Sequence, residues 1–205
     1  MTTSHAKPVV GLVGGIGAGK STVAAALARH GGRVVAGDPL GHEALEHPEI
    51  KARILDVWGG REVVTPDGKI DRKRLGRIVF PSPVERSRLE HLTHPYIETR
   101  IREEVAKLEA DSAVKFIVLD AAVMLEAGWD GVCDKLIFVA APREVRLARV
   151  QAQRGWTAAD LANREAVQMP PEKKQERADA VVDNGGGPEE TSAQVDALVE
   201  RWKLG

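Results

Sequence analysis

The chain of 205 residues has a single cysteine, almost no net charge and no long hydrophobic run, and each shortage excludes something. Cys133 has no partner within the chain, so an internal disulfide is excluded and a reducing, cytoplasmic compartment is expected. Its thiol reads as a small buried hydrophobe rather than a nucleophile. A formal charge of −1 withholds the basic surface that non-specific nucleic-acid binding needs, so no nucleic-acid partner is expected. No apolar run approaches the roughly 18 residues of a membrane span, and MTTSHAKP lacks the apolar core and cleavage site of a signal peptide. What remains is 43% hydrophobic and 29% charged, the ordinary balance of a soluble globular chain long enough to bury a substantial core in one domain with a modest insertion.

Glycine, by contrast, is concentrated. GGIGAGKST, residues 14–22, puts four glycines and one lysine in nine positions directly after the apolar run PVVGLV. Glycine surrenders the most backbone freedom on folding, so such a cluster marks a shape requirement. Gly14-x-x-x-x-Gly19-Lys20-Ser21 fits the phosphate-binding loop, in which backbone N–H groups wrap nucleotide phosphates. Gly15, Gly17, Ala18, Gly19, Lys20, Ser21 and Thr22 are the expected nucleotide contacts. Lys20 reaches the β- and γ-phosphates, and Ser21 holds Mg²⁺ through its hydroxyl. The helix-forming TVAAALA that follows aims its positive end at the phosphates.

Apolar runs recur at 9–13, 33–36, 115–119, 135–140 and 180–182, with helical patterns between them. That alternation predicts an α/β, doubly wound parallel sheet of about five strands. Two excursions interrupt it, so the core is expected over about 8–38, 112–142 and 179–205. The first excursion, about 39–111, is mostly helical, and Pro95 is expected to break it between VERSRLEHL and YIETRIREEVAKLEA. The second, about 143–178, reads as three short helices. In a phosphate-loop protein such excursions commonly form an acceptor-binding insertion and a lid over the nucleotide.

Candidate chemistry follows the strand ends. Asp38, just after the second strand, could accept a proton from an attacking hydroxyl, or cap a helix with Pro39 at its first position. Asp120 closes KFIVLD, where a carboxylate can bind Mg²⁺ directly or through water. Glu126 is a second acidic candidate, and either carboxylate could instead meet a lysine. Among the lid arginines 146, 149, 154, 164 and 177, Arg154 before Gly155 and Arg164 one turn from Gln168 are chosen to neutralise the transferred phosphoryl.

Several phrases together resemble one family, the dephospho-CoA kinases, over nearly the whole chain. GLVGGIGAGKSTVA is similar to the family's GLTGGIGSGKST, and GDPLGHEAL to its D-A-D segment. DGKIDRKRLGRIVF, HLTHPYI and QMPPEKKQERADAVVDNGG resemble three further family phrases, in the family's order. The resemblance implies ATP-dependent phosphorylation of the ribose 3′-hydroxyl of dephospho-CoA, giving CoA and ADP, with ATP and Mg²⁺ as cofactors. It implies Asp38 as the base, the first excursion with His94 as acceptor-binding, and the second with Arg154 and Arg164 as lid. Asn184 falls where the family holds the adenine of ATP, though a turn-forming Asn-Gly explains it equally. Three departures stand out. Val13 replaces the family's threonine, and Ala122-Val123-Met124-Leu125-Glu126 replaces a P-L-L-x-E phrase. Arg149 and Arg154 are five apart where the family has four, a shift that turns a helix face by about 100°.

Another small-molecule phosphate-loop kinase, acting on a nucleoside monophosphate or a sugar, shares much of this pattern. A non-catalytic nucleotide switch shares less, and no guanine-reading N-K-x-D phrase is present. The expected partners are therefore dephospho-CoA and ATP, with the chain a monomer or weak homo-oligomer.

Overall fold

The computed structural model describes residues 5–205, with Gly60 and Arg61 described by backbone alone. Residues 1–4 of the MTTSHAKP segment lie outside the described residues. Five strands form one sheet: β1 (Val9–Gly14), β2 (Gly32–Ala36), β3 (Phe116–Asp120), β4 (Lys135–Ala140) and β5 (Ala180–Asp183). All pairings are parallel, in the order β2-β3-β1-β4-β5. Burial follows position. Central β1, VVGLVG, is buried throughout, whereas edge strand β2 exposes three of its five residues. That is why the central runs are continuously apolar, as a sheet covered on both faces requires.

Helix α1 (Lys20–Ala28) follows the glycine loop, and the last helix, α9 (Pro188–Trp202), packs beside it. Val23 and Leu27 of α1 share a core with Val195, Leu198 and Val199 of α9 and with Val10, Leu12, Val118 and Ile137 of the sheet. The strand order reverses at β1: β2 and β3 lie on one side, β4 and β5 on the other. In open α/β sheets the carboxyl end of the strand at such a switch point opens the ligand crevice. The glycine loop leaves from that end.

The chain divides into two compact units, residues 1–36 with 104–205, and residues 37–103. The second unit holds α2 (Gly37–Glu46), α3 (Pro48–Trp58), a 3₁₀ turn (Gly60–Val63), α4 (Arg72–Val79) and most of α5 (Pro83–Ala110). Its interior includes Ile50, Ile54, Trp58, Leu75, Val79, Ile97 and Ile101. Asp71 caps α4 by accepting from the N–H groups of Lys73 and Arg74.

Helix α5 corrects the expected break: it runs unbroken through Pro95. Proline removes one helical hydrogen bond and costs about 3 kcal/mol in a helix interior. Against that, Thr93, Ile97, Ile101 and Val105 form a buried stripe at four-residue spacing that crosses the proline. Three buried aliphatic side chains at about 1.5–3 kcal/mol each outweigh the lost bond. The Thr93 and Thr99 hydroxyls also donate to the carbonyls of Leu89 and Pro95 at 2.9 and 3.0 Å.

Between β4 and β5 lie the three expected short helices, α6 (Arg143–Arg154), α7 (Ala158–Glu165) and α8 (Pro171–Glu176). A capping box starts α7, with Thr157 and Asp160 bonded reciprocally. No helix among the described residues is long and apolar enough to cross a membrane.

Candidate functional site

The glycine loop is held from behind. Arg146 Nη1 donates to the Ile16 carbonyl at 3.1 Å, and Arg149 Nη1 to the carbonyls of Gly17 and Ala18 at 3.5 and 3.2 Å. Asn184 Nδ2 donates to Ala18 O at 2.7 Å, and Arg149 Nη2 ties back to Asn184 O at 2.7 Å. Three consecutive loop carbonyls are thus taken by side chains from α6 and from the turn after β5. In a planar trans peptide the C=O and the next N–H point oppositely. The N–H groups of Gly17 and Gly19 therefore face away from the arginines, as in an anion nest, while the Ala18 N–H closes a turn onto the Gly15 carbonyl at 3.1 Å.

Two glycines are required by that shape. Gly17 and Gly19 have φ of 78° and 87°, in the left-handed region. A Cβ on Gly17 would sit 2.7 Å from the Arg146 carbonyl oxygen, and one on Gly19 would overlap Asn184 Nδ2. The loop hands directly into α1, where Lys20, Ser21 and Thr22 make the first turn, with Ser21 and Thr22 exposed.

Asn184 is buried, and both ends of its amide are engaged: Nδ2 donates to Ala18 O, and Oδ1 accepts the Thr191 hydroxyl at 3.0 Å. Asp120 stands at the carboxyl end of β3, paired in register with Leu12 of β1 and Ala36 of β2. Two residues beyond Ala36, Asp38 lies exposed in the first turn of α2. Glu126 meets a lysine. Its Oε1 lies 2.9 Å from the buried Lys174 Nζ and accepts the Met169 N–H at 2.9 Å, while Lys174 Nζ also donates to Ala122 O at 3.4 Å. The AVMLE loop is thereby tied to α8 by an ion pair whose lysine is buried and whose carboxylate reaches water.

Arg154 and Arg164 share one ring, their guanidinium carbons 4.9 and 4.2 Å from the centre of the Trp156 indole. Both side chains are exposed. On α5, half-buried His94 has its pKa lowered below 6.5, chiefly by desolvation and also by neighbouring His91, against a raising pull from Glu90. Burial likewise pushes the Cys133 thiol up to about 12, keeping it protonated and unreactive.

Arg146 and Arg149 carry more of this architecture than their rank among the sequence candidates suggested, and Lys174 was not among those candidates. No sequence signal singled out Arg146: it and Val150, one helical turn apart, are the buried residues of α6, and only the fold reveals that burial. Lys174 had none outside its motif phrase, because Glu126 lies 48 residues away in sequence.

Residues 8–190 match the family model described as dephospho-CoA kinase. A dephospho-CoA kinase of Geobacter metallireducens is 41% identical over 196 residues, covering 95% of each chain. One from Anaeromyxobacter dehalogenans is 39% identical over 191 residues, covering 93% of this chain and 90% of that one. The crystal structure of a Thermus thermophilus protein, 35% identical, superposes with a TM-score of 0.79 over 97% of this chain and 98% of its own.

Proposed function

The chain belongs to the dephospho-CoA kinase family, and from that premise we propose how its side chains share the work of the reaction. The enzyme phosphorylates the ribose 3′-hydroxyl of dephospho-CoA with ATP, giving CoA and ADP, the final step of CoA biosynthesis. The single observation that carries the assignment of groups is the loop whose Ile16, Gly17 and Ala18 carbonyls are held from behind, turning the Gly17 and Gly19 N–H groups toward phosphate oxygens.

In this assignment Gly15, Gly17 and Gly19 bind the β- and γ-phosphates through backbone N–H groups, Ala18 shapes the loop by donating to Gly15 O, Thr22 offers its exposed hydroxyl, and Lys20 neutralises the charge that builds between the phosphates. Arg149 and Asn184 act on the loop rather than on the nucleotide, supporting Ala18, with Asn184 standing near the adenine. Asp38 orients the 3′-hydroxyl and takes its proton. His94, neutral at pH 7, serves the acceptor as a hydrogen-bonding group. Arg154 and Arg164 are assigned to the transferred phosphoryl. Mg²⁺ fits the donors present: Ser21 and Asp120 offer hard oxygens, and no cluster of three His, Cys, Asp or Glu side chains among the described residues would cage it, as suits an ion held largely by phosphates and water. Held there, it would neutralise negative charge on the phosphates. The reaction is placed in the cytoplasm, on the strength of the single cysteine.

A coupled assay for ADP release, with dephospho-CoA against AMP, adenosine and a plain sugar as acceptors, tests the assignment. Turnover is expected with dephospho-CoA alone. Asp38→Asn is expected to lower kcat by about 10²–10⁴ while leaving ADP affinity unchanged. A kcat within threefold or so of the parent would remove Asp38 from the chemistry.

A further inference from the structure

The last residue of α7, Glu165, is used by none of the steps above, yet it is wired to the phosphate loop. Its carboxylate pairs with Arg146 Nη1, the same nitrogen that donates to the Ile16 carbonyl at 3.1 Å. The Arg146 Nε donates to Ala141 O, just beyond β4, at 3.3 Å. One guanidinium therefore ties together the end of β4, the loop and α7. Arg146 is 8% exposed, so its charge has little water and depends on Glu165 for neutralisation. Arg143 adds a looser contact to the same carboxylate, at 3.5 Å.

We propose that Glu165 is a positioning residue for nucleotide binding, holding Arg146 so that the Ile16–Gly17 peptide presents its N–H to the ATP phosphates. The chain of cause is short. Ile16 C=O and Gly17 N–H belong to one planar peptide, so whatever fixes the carbonyl fixes the direction of the N–H. Gly17 is in the left-handed region with φ of 78°, a conformation that a glycine by itself occupies only part of the time. Without the carboxylate, the Arg146 charge turns toward solvent or toward another acceptor, and the peptide is free to rotate. A ligand that needs one peptide orientation then binds more weakly by the fraction of molecules lacking it. Because α7 also carries Arg164, adjacent in sequence, the pair makes the position of that arginine and the shape of the loop depend on one another.

The inference rests on the assignment of Gly15–Thr22 to nucleotide phosphates, and ADP binding by calorimetry separates the two. Glu165→Gln keeps the size and an acceptor but removes the charge. It is expected to weaken ADP binding by about tenfold, or 1.4 kcal/mol, with the KM for dephospho-CoA unchanged. In a cycle with Arg146→Gln, the double variant is expected to bind ADP no more weakly than Arg146→Gln alone, since Glu165 acts only through Arg146. Glu165→Asp, which keeps the charge, should recover most of the affinity, and it serves in place of Glu165→Gln if that variant fails to fold, with an expected loss of about threefold. Parent-like ADP binding in both Glu165 variants would overturn the proposal, as would losses that multiply in the double variant or an equal rise in both substrates' KM. No ADP binding by the parent protein would overturn the phosphate-loop assignment as well.

Discussion

Replacing Asn184 with alanine separates an amide that builds the loop from one that only touches the nucleotide. The side chain donates to Ala18 O at 2.7 Å and accepts from the Thr191 hydroxyl at 3.0 Å, both in the interior. Two such bonds are worth about 0.5–1.5 kcal/mol each. Neither partner is stranded by their loss: Ala18 O keeps Arg149 at 3.2 Å and the Thr191 hydroxyl keeps Gly187 O at 3.3 Å. The expected cost is therefore in the lower half, about 1–2 kcal/mol in the nucleotide-free protein. For a chain of this length each kcal/mol lowers Tm by about 2–4 °C, so a fall of about 2–8 °C is expected by circular dichroism. Asn184→Asp should fall further, because it sets an acceptor against the Ala18 carbonyl. An unchanged Tm in both variants, with ADP affinity nonetheless reduced, would refute the structural role and leave Asn184 as a nucleotide contact alone.

Three further outcomes follow from the same contacts. Glu126→Gln leaves the buried Lys174 charge without its counter-ion. Thermal unfolding should register a loss near 3 kcal/mol, the low end of about 3–5 for broken buried pairs because the glutamine oxygen still accepts, and adding Lys174→Met should restore much of it. Gly17→Ala puts a Cβ 2.7 Å from the Arg146 carbonyl at a left-handed φ. ADP affinity by calorimetry should drop by at least about tenfold, and a parent-like affinity would mean that the loop has another bound shape. His94 has a lowered folded pKa, so below pH 6.5 the unfolded chain takes the proton more readily than the folded one. Its contribution is complete above pH 6.5 and is lost as pH falls from there through the lowered folded value. Tm measured on both sides of pH 6.5 should decline less on acidification in His94→Gln than in the parent.

How much was legible in advance divides by the range of the interaction. The five strands could be read because each is a short apolar run between turn residues, and the phosphate loop because its glycines, lysine and serine are contiguous. The continuation of α5 through Pro95 could not be read from the proline, whose penalty is local, while the stripe from Thr93 to Val105 that overrides it acts through burial. The lid arginines were ranked by neighbours in sequence, which drew attention to Arg154 beside Gly155. In the fold Arg154 and Arg164 meet at Trp156, and Arg146 and Arg149 meet the loop.

The sequence by itself therefore determined the family, the reaction and the strand-loop-helix proposed to take the phosphates, because those rest on contiguous residues and on period. Only the tertiary structure decided what holds that loop in shape. Ile16, Gly17 and Ala18 receive their donors from Arg146, Arg149 and Asn184, 130 or more residues along the chain. A backbone carbonyl accepts from whichever donor the fold delivers, so its partner leaves no local trace in the sequence.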